Sequence, residues 1–120
     1  MAVSDNLKRG SVDILLLTLL EEEDMYGYQI SQELAKRSDG RYKLLESSMY
    51  PILYRMEDKG FISERREQVG KRKVRVYYHI EETGRAYLKE ALEEYLSTMG
   101  GVLQILGKRI EDNETQYVCR

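Results

Sequence analysis

The sequence has few of the residues that build covalent or metal-centred sites. Its 120 residues include one cysteine, Cys119, one histidine, His79, and no tryptophan. A lone cysteine cannot form an internal disulfide, and one cysteine with one histidine falls short of the ligands that a structural zinc site needs. No glycine-rich phosphate loop and no nucleophile–base pattern stand out either. We therefore expect no catalytic residues, no metal and no cofactor, and hence a protein that is not an enzyme.

Long apolar segments are missing as well. The longest apolar run, residues 14–20, contains Thr18 and is far shorter than the ~20 residues that span a bilayer. No signal-peptide pattern opens the sequence. We therefore expect a cytoplasmic protein without a membrane partner. A hydrophobic share of 42% and a single proline exclude a disordered or collagen-like chain, and the length suits one modest domain.

The net charge gives no sign of a nucleic-acid partner, but its distribution does. The formal net charge is −2. Residues 65–75 nevertheless contain six basic residues and one acidic residue, a local charge of +5, which leaves −7 on the rest of the chain. Because phosphate contacts are local, a concentrated basic segment can bind nucleic acid on an otherwise acidic protein.

Hydrophobic spacing predicts two helices in the first third of the chain. The first covers residues 7–22 with Ser11 as its N-cap, and its nearly all-round apolar pattern indicates burial on more than one side. After a short break, the second covers residues 27–37. It would end at Asp39-Gly40, where the glycine takes the left-handed position that closes a helix.

A third helix and a hairpin follow. Ser47 or Ser48 caps this helix, which runs to Lys59 and has Pro51 in its first turn, where a missing N–H costs little. Gly60 would end it in a Schellman motif. Two strands of alternating pattern come next, joined by a glycine-containing basic loop. The strands are predicted at residues 62–68 and 74–80, with the loop at 69–73.

The third helix has the side chains of a DNA-reading helix. Steps of 100° per residue place Met49, Ile52, Leu53 and Met56 on one apolar face. The opposite face and its flanks carry hydroxyl, aromatic and guanidinium groups, whereas an ordinary solvated face usually carries Glu and Lys. A plain amphipathic helix with a polar exterior is the alternative. The DNA-binding residues predicted on this helix are Ser47, Ser48, Tyr50, Pro51, Tyr54 and Arg55.

The basic hairpin is the second nucleic-acid feature. Each phosphate that a cation neutralises releases counterions, so such a cluster would bind DNA in a salt-dependent way. The alternative is an edge hairpin that uses charge against aggregation, but six cations against Glu64 and Glu67 exceed that need. Tyr28, at the start of the second helix, completes the predicted DNA-binding set. The hairpin members of that set are Lys71, Arg72, Lys73 and Arg75.

A long final helix starts at Thr83 or just before it and carries a heptad seam. Its apolar residues are spaced 4, 3, 4, 3 and 4 apart, a stripe too wide for a lone surface helix. Dimerisation is therefore favoured over packing on its own domain alone. Gly100-Gly101 interrupts the helix and could kink it or admit another backbone. The seam consists of Leu88, Leu92, Tyr95, Met99, Val102 and Leu106, with Leu96 and Leu103 beside it.

These elements predict a mainly α fold with a small two-stranded β-hairpin (α+β). Three helices followed by a basic hairpin are typical of a winged helix-turn-helix domain, expected over residues 7–82. A C-terminal dimerisation helix would cover residues 83–112 and a polar tail residues 113–120. A two-fold dimer would place two recognition helices one DNA turn apart, so we expect a palindromic double-stranded operator with half-sites ~10 bp apart.

Four segments, taken in order, resemble the PadR family of winged helix-turn-helix transcriptional regulators. The resemblance covers roughly residues 7–106. It implies a homodimeric DNA-binding repressor whose third helix enters the major groove and whose wing touches the flanking minor groove or backbone. The single C-terminal helix is similar to that of a compact subfamily. The segments are Met25-Tyr26-Gly27-Tyr28-Gln29-Ile30, Ser48-Met49-Tyr50-Pro51-Ile52-Leu53-Tyr54-Arg55-Met56-Glu57, Lys59-Gly60-Phe61-Ile62, and Val76-Tyr77-Tyr78-His79-Ile80 leading into Thr83-Gly84-Arg85.

Resemblance to the compact subfamily implies a dimer and an effector. Its C-terminal helix contacts the partner's first helix, and members that regulate multidrug efflux take flat aromatic compounds into the dimer interface. A small aromatic effector that releases the repressor would then contact Tyr95 and Met99, although Tyr95 also suits the core of the seam. Two departures are Glu81, where the family usually has a helix-capping threonine, and the lack of a tryptophan to stack on a ligand. The predicted dimer interface is Leu15, Leu19, Leu88, Leu92, Tyr95, Leu96, Met99, Val102, Leu103 and Leu106.

Two other functions are compatible with these patterns. A winged-helix module could bind protein or RNA through the same basic wing, without an operator. A small-molecule carrier could use the apolar dimer interface after losing DNA binding, but the hydroxyl-rich third helix argues against it. A sequence-specific transcriptional regulator is therefore the leading hypothesis.

Overall fold

Five helices and a three-stranded sheet make up the part of the chain that the structure describes. The structure is a computed structural model and describes residues 3–108, with side-chain surroundings from residue 6 onward. None of its helices combines the length and the hydropathy that crossing a bilayer requires. The elements are α1 Val3–Lys8, α2 Val12–Glu22, β1 Met25–Tyr26, α3 Gly27–Arg37, α4 Glu46–Asp58, β2 Ile62–Gln68, β3 Val74–Ile80 and α5 Glu82–Leu106.

The chain divides into two compact units at a point inside α5. The first spans Met1–Lys89 and the second Glu90–Arg120. The first unit extends past the boundary predicted after residue 82, because the first two turns of α5 belong to it. The predicted tail at residues 113–120 lies outside the described residues, and so do residues 109–112 of the predicted final helix.

The sheet has three antiparallel strands in the order β1-β3-β2, rather than the predicted two. β2 and β3 pair along their full lengths and have the predicted bounds. β1 adds Met25 opposite Tyr78 and Tyr26 opposite Tyr77. Two residues are too few to alternate, so β1 leaves no strand signal in the sequence. Apart from this third strand, α3, α4 and the hairpin confirm the predicted fold class of helix-turn-helix and wing.

The core lies between the inner face of the sheet and helices α2, α3 and α4. Alternation along β3 directs Tyr78 and Ile80 inward, and α2 is buried on several sides, as its apolar pattern predicts. Burying one such side chain contributes roughly 1.5–3 kcal/mol, so this interior determines where α4 lies. The largest fully buried side chains are Leu16, Leu17, Leu20, Met25, Ile30, Met49, Leu53 and Ile80.

The predicted first helix is in fact two helices. α1 ends at Lys8 and α2 begins at Val12, with Gly10 between them at φ 92°, a left-handed conformation that interrupts a helix. Ser11 occupies the predicted N-cap position of α2, but its side chain makes no capping hydrogen bond. Its hydroxyl donates to the Lys8 carbonyl (2.7 Å) and lies 2.9 Å from the Tyr42 hydroxyl. Ser11 therefore ties this turn to the segment before α4.

α3 has the predicted bounds but a different closing residue. The N–H of Gly40 bonds to the Ala35 carbonyl (2.7 Å) and that of Asp39 to the Lys36 carbonyl (3.3 Å), which is a Schellman motif. Asp39, at φ 54°, takes the left-handed position assigned to Gly40, which follows it at φ 79°. Aspartate tolerates this conformation because its short side chain can hydrogen-bond locally.

α4 begins earlier than predicted. It runs from Glu46 to Asp58, with Leu45 at the N-cap position and no side-chain cap, so neither Ser47 nor Ser48 caps it. The predicted first-turn position of Pro51 is therefore wrong, because Pro51 is the sixth residue of the helix. Without an N–H, Pro51 cannot donate to the carbonyl one turn before it.

The end of α4 has the predicted Schellman motif and is joined to α5. The Gly60 N–H bonds to the Glu57 carbonyl and the Phe61 N–H to the Met56 carbonyl, each at 2.9 Å. The Phe61 ring stacks on Tyr87 of α5, with centroids 4.6 Å apart. This stack fixes the end of α4 against the start of the last helix.

α5 begins at Glu82, and Glu81 precedes it without the threonine cap. The Glu81 carbonyl accepts the Arg85 N–H (3.0 Å), and its own N–H donates to the Phe61 carbonyl (2.8 Å). Its carboxylate accepts the Ser63 hydroxyl. Glu81 thus links the helix start to β2 instead of capping the helix through its side chain.

α5 ends at Leu106, before the predicted end at residue 112. Gly107, which follows the last helical residue, has a φ of 68°, the left-handed conformation that commonly ends a helix. Gly100 and Gly101 stay within the helix. A Cβ on either would meet no atom within 4 Å beyond its chain neighbours and the adjacent helix backbone, among the residues described. The pair therefore leaves open space beside the second unit's helix.

Two carboxyl groups meet where α4 packs on β2. Glu57 of α4 and Glu64 of β2 are close enough to influence each other's ionisation. Partial burial, the interaction with the Glu64 carboxyl group and the charge of Asp58 raise the pKa of Glu57. The folded chain therefore favours the protonated form of this carboxyl group.

We expect the Glu57→Gln variant to be less sensitive to pH than the parent chain. A carboxyl group whose pKa rises on folding holds its proton more tightly when folded, so the free energy of unfolding should rise as pH falls from about 7 to about 5. Glutamine cannot titrate, so it should remove part of that rise. Urea unfolding at both pH values measures this, with Glu23→Gln as the control because Glu23 is exposed. Parallel pH dependences for parent and Glu57→Gln would contradict a raised pKa of Glu57.

Gly84, in the first turn of α5, is packed too closely for a side chain. A Cβ would overlap the Phe61 carbonyl oxygen and would lie 3.0 Å from Cγ1 of Ile80. Helix propensity alone would make Gly84→Ala stabilising by roughly 1 kcal/mol. Because a backbone oxygen cannot move aside, we expect instead a loss of about 1–3 kcal/mol in urea unfolding. Ala86→Gly, at an exposed position of the same turn, is the reciprocal control and should lose roughly 1 kcal/mol. A more stable Gly84→Ala would disprove the close packing.

Candidate nucleic-acid interface

α4 shows the two faces that its sequence predicts. Met49, Leu53 and Met56 are buried, and Ile52 is half-buried. The side chains of the opposite face and its flanks reach the surface, so the predicted α4 set is accessible, and its contact with DNA stays a prediction. Ser47, Ser48, Pro51, Tyr54 and Arg55 are exposed, and Tyr50 is half-buried.

Tyr50 is held in place by three neighbours. Its ring lies against Gly27 at the start of α3, where a Cβ would come within 2.6 Å of the Tyr50 hydroxyl oxygen. That hydroxyl donates to the Glu46 carboxylate, one turn earlier on α4 (3.1 Å). The ring stacks on Tyr54, with centroids 6.2 Å apart. Burial, followed by the hydrogen bond to Glu46, raises the pKa of Tyr50, so its hydroxyl remains a donor.

A cleft of about 680 Å³ separates α4 and the start of α3 from the hairpin. Tyr28 lines the α3 side, and its exposed hydroxyl accepts a hydrogen bond from the Gln32 amide (2.9 Å). The cleft brings together residues that are far apart in sequence, so spacing alone could not reveal its full lining. Predicted DNA-binding residues that line it are Tyr28, Tyr50, Tyr54, Lys73 and Arg75. Residues that sequence reasoning missed are Tyr26, Glu46, Glu64, Arg66 and Tyr78.

One row of stacked cations and rings stiffens the hairpin. The Arg65 guanidinium lies 4.6 Å from the centroid of the Tyr77 ring, and that of Arg75 lies 4.3 Å from the Tyr26 ring. The two tyrosine rings meet edge to face at 5.4 Å. Each cation–π contact contributes roughly 0.5–1 kcal/mol at an exposed site. The row therefore orients Arg75 without neutralising its charge.

Asp24 anchors this row to the turn before β1. Its carboxylate lies 2.8 Å from His79 Nδ1 and accepts the Arg65 Nε–H (3.3 Å). Partial burial raises the pKa of Asp24, but the hydrogen bonds from His79 and Arg65 outweigh it, and the pKa is lowered overall. Arg65 also pairs with Glu67. His79 and Arg65 thus have structural partners at the base of the hairpin.

The residues at the hairpin tip differ from those near its base. Lys71, Arg72 and Lys73 are exposed, and no carboxylate of the described chain pairs with them. Arg66, nearer the base, pairs with Glu64 (3.3 Å). Unpaired, solvated cations are the ones that can neutralise phosphate without first breaking an ion pair. The tip is therefore the strongest local source of positive charge on the hairpin.

In the second unit, α5 leaves many of its apolar side chains in water. Leu96 is 60% exposed, and Ile105, which the predicted seam omits, is 86% exposed. Contiguous exposed apolar side chains of this kind mark an interaction surface. Leu92, Met99, Val102 and Leu106 are also exposed, and Tyr95 and Leu103 are half-buried.

The first unit already covers two residues of the predicted dimer interface. Leu88 and Leu19 are each only 4% exposed, because they pack within their own unit. Leu15 is half-buried and, with Leu19 and Leu34, lines an apolar groove of about 320 Å³. The groove leaves Leu15 accessible, whereas Leu88 has little surface left for a partner.

Comparison with known proteins is consistent with this architecture. An uncharacterized protein of Lysinibacillus sphaericus is 36% identical over 93 residues, which cover 78% of this chain and 85% of the relative. A solved transcriptional regulator from Clostridium thermocellum is 33% identical, with a TM-score of 0.77 over 82% of this chain and 96% of that one.

Two further matches concern the PadR family directly. The structure of Bacillus subtilis PadR in complex with operator DNA is similar at 25% identity and a TM-score of 0.62, over 67% of this chain and 46% of that one. The sequence pattern of the transcriptional regulator PadR-like family matches residues 16–90. The chain therefore belongs to the PadR-like family of transcriptional regulators, which confirms the resemblance found in its sequence.

Proposed function

We propose that the chain represses transcription as a homodimer that binds an operator through α4 and the hairpin. The observation that carries the proposal is the accessible hydroxyl- and guanidinium-bearing side of α4 together with a hairpin tip of three unpaired cations, one of which, Lys73, lines the same cleft as Tyr50 and Tyr54. The two elements face each other across the cleft. Bacillus subtilis PadR, solved with operator DNA, supports duplex DNA as the partner. In this proposal the chain acts by binding, without catalysis, in the cytoplasm.

α4 and the hairpin would have different tasks on DNA. In helix-turn-helix proteins the first residues of the recognition helix contact base edges, and Ser47 and Ser48 occupy that end of α4. Arg55 can bond a guanine through two hydrogen bonds. Arg75, which its tyrosine contact orients, and the tip cations would bind phosphates. Base contacts would then supply the preference for the operator, and phosphate contacts the general affinity.

Removing the tip cations should weaken binding to all duplex DNA alike. We expect a variant with Lys71→Ala, Arg72→Ala and Lys73→Ala to lose affinity for operator and random DNA to a similar extent. Each phosphate contact contributes roughly 0.9 to the slope of log affinity against log salt, so three lost contacts should flatten it by about 2.7. Fluorescence anisotropy with the chain's own upstream DNA, over a range of salt concentrations, measures both effects.

Arg55→Ala is the contrasting variant, because Arg55 is exposed on α4 and not on the hairpin. It should cost about 1–3 kcal/mol on the operator and little on random DNA. If the tip variant binds DNA with unchanged affinity, the hairpin tip does not contact DNA. If Arg55→Ala loses the same affinity for operator and random DNA, Arg55 does not read bases in the major groove. Tighter binding to structured RNA than to duplex DNA would favour an RNA-binding module instead.

The exposed apolar side of α5 supports the dimer. Apolar area removed from water contributes roughly 25 cal/mol per Å², so side chains such as Leu92 and Leu96 gain by contact with a second copy. Gly100 and Gly101 leave open space for a close helix approach. The groove beside Leu15 has the apolar lining that the partner's α5 would need. A two-fold axis would then present two α4 helices to a palindromic operator.

Leu96→Asp should convert the dimer into monomers. The carboxylate would be buried without a partner in the interface. We expect the dissociation constant of the dimer to rise at least about 100-fold, which is roughly 3 kcal/mol. Sedimentation equilibrium measures it, with Gln104→Asp as the control, because Gln104 is exposed on α5 outside the heptad seam. A dimer of unchanged affinity would exclude this side of α5 from the interface.

We further propose that a flat aromatic effector binds between the two copies, beside Tyr95 and Met99, and releases the operator. Tyr95 is half-buried and Met99 exposed in the single chain, and both side chains suit contact with aromatic rings. Because the site needs both copies, the Leu96→Asp variant should also lose binding of a fluorescent flat aromatic dye. Dye binding that survives in the monomer would place the effector elsewhere.

A further inference from the structure

Glu46 is an acidic residue at the end of α4 that would enter the DNA groove. It is the first residue of the helix, is half-buried and lines the cleft. Its carboxylate accepts the Tyr50 hydroxyl (3.1 Å), and no Lys or Arg of the described chain forms an ion pair with it. Glu64, the other acid of the cleft, pairs with Arg66. An uncompensated carboxylate on a DNA-binding surface repels phosphate and so lowers affinity for every sequence.

Few base edges can offset that repulsion. An ionised carboxylate only accepts hydrogen bonds. In the major groove the donors are the exocyclic amino groups, N4 of cytosine and N6 of adenine. Glu typically accepts from cytosine N4, whereas adenine, which presents N7 as an acceptor beside N6, is matched by the amide of Gln or Asn. Glu46 would therefore favour cytosine and leave its charge uncompensated opposite guanine or thymine.

The Tyr50 hydroxyl restrains the Glu46 carboxylate before any DNA binds. The Tyr50 hydroxyl occupies one of its acceptor sites, and the Tyr50 ring fits because Gly27 has no side chain. A group held in one geometry discriminates between bases better than a mobile one, because little conformational freedom remains to be lost on binding. Tyr50 is thus a positioning residue, and Glu46 is the group that would touch the base.

We propose that Glu46 determines operator specificity by accepting a hydrogen bond from the amino group of one cytosine in each half-site. The inference rests on the proposed DNA binding through α4. In this proposal Glu46 raises the preference for the operator sequence and lowers the affinity for DNA in general.

Selection from randomised duplex DNA by the full chain, followed by sequencing of the bound fraction, tests this role. Glu46→Gln keeps an acceptor for Tyr50 and adds a donor, so the preferred base at one position should change from cytosine to adenine. Glu46→Ala should reduce discrimination at that position on the order of 10-fold or more and should bind random DNA more tightly than the parent. Tyr50→Phe, which removes the hydroxyl that positions the carboxylate, should weaken the same preference.

Glu82→Gln is the matched control, since it makes the same charge change at an exposed site at the start of α5 and should leave every preference intact. A parent chain that selects an operator, together with unchanged base preferences in Glu46→Gln and Glu46→Ala, would overturn the inference. A uniform rise in affinity without altered preference would overturn it too. A parent chain without any sequence preference would overturn the proposed function instead. Thermal unfolding of each variant verifies the fold, and Glu46→Gln decides the question if Glu46→Ala does not fold.

Discussion

The burial of Met49, Leu53 and Met56 determines which side of α4 faces solvent. At 100° per residue, these three inward positions leave Pro51 and Arg55 on the outside. Turning the helix about its axis would expose side chains that each contribute roughly 1.5–3 kcal/mol by burial, and it would bury a guanidinium without a partner. The proposed reading surface is therefore a consequence of core formation and takes its rigidity from the core.

Within the hairpin, the paired cations stabilise its structure, whereas the unpaired cations remain available to bind phosphate. Near the sheet, Arg65 is held by Asp24 and by the Tyr77 ring, and Arg66 by Glu64. Toward the tip, the described chain supplies no carboxylate partner. A formal charge count treats all six cations alike. In the structure, Arg65 and Arg66 form ion pairs within the hairpin, and the tip cations stay solvated. This division explains how a chain of net charge −2 can still offer a compact phosphate-binding surface.

Local periodicity predicted the elements that are long enough to show it. The bounds of α3, β2 and β3 and the two faces of α4 follow directly from spacing. β1 is too short to alternate. The predicted start of α4 is too late because Ser47 and Ser48 are favoured caps, whereas the helix begins at Glu46 without a side-chain cap. The contact of Glu46 with Tyr50, and of Tyr50 with Gly27, depends on how α3 packs against α4. No spacing rule encodes such a contact, so the acidic part of the cleft emerges only from the fold.

In the proposed dimer, α5 contributes to DNA affinity without touching DNA. One chain offers three unpaired tip cations, and each phosphate contact releases roughly 0.9 counterions, so a single copy would bind weakly at moderate salt. A second copy doubles this number, and it binds from a high effective concentration once the first copy is on the DNA. An effector between the two copies could therefore leave every α4 residue in place and still release the operator. It would need only to change the separation of the two α4 helices, because the dimer gains its DNA affinity by contacting both half-sites at the same time.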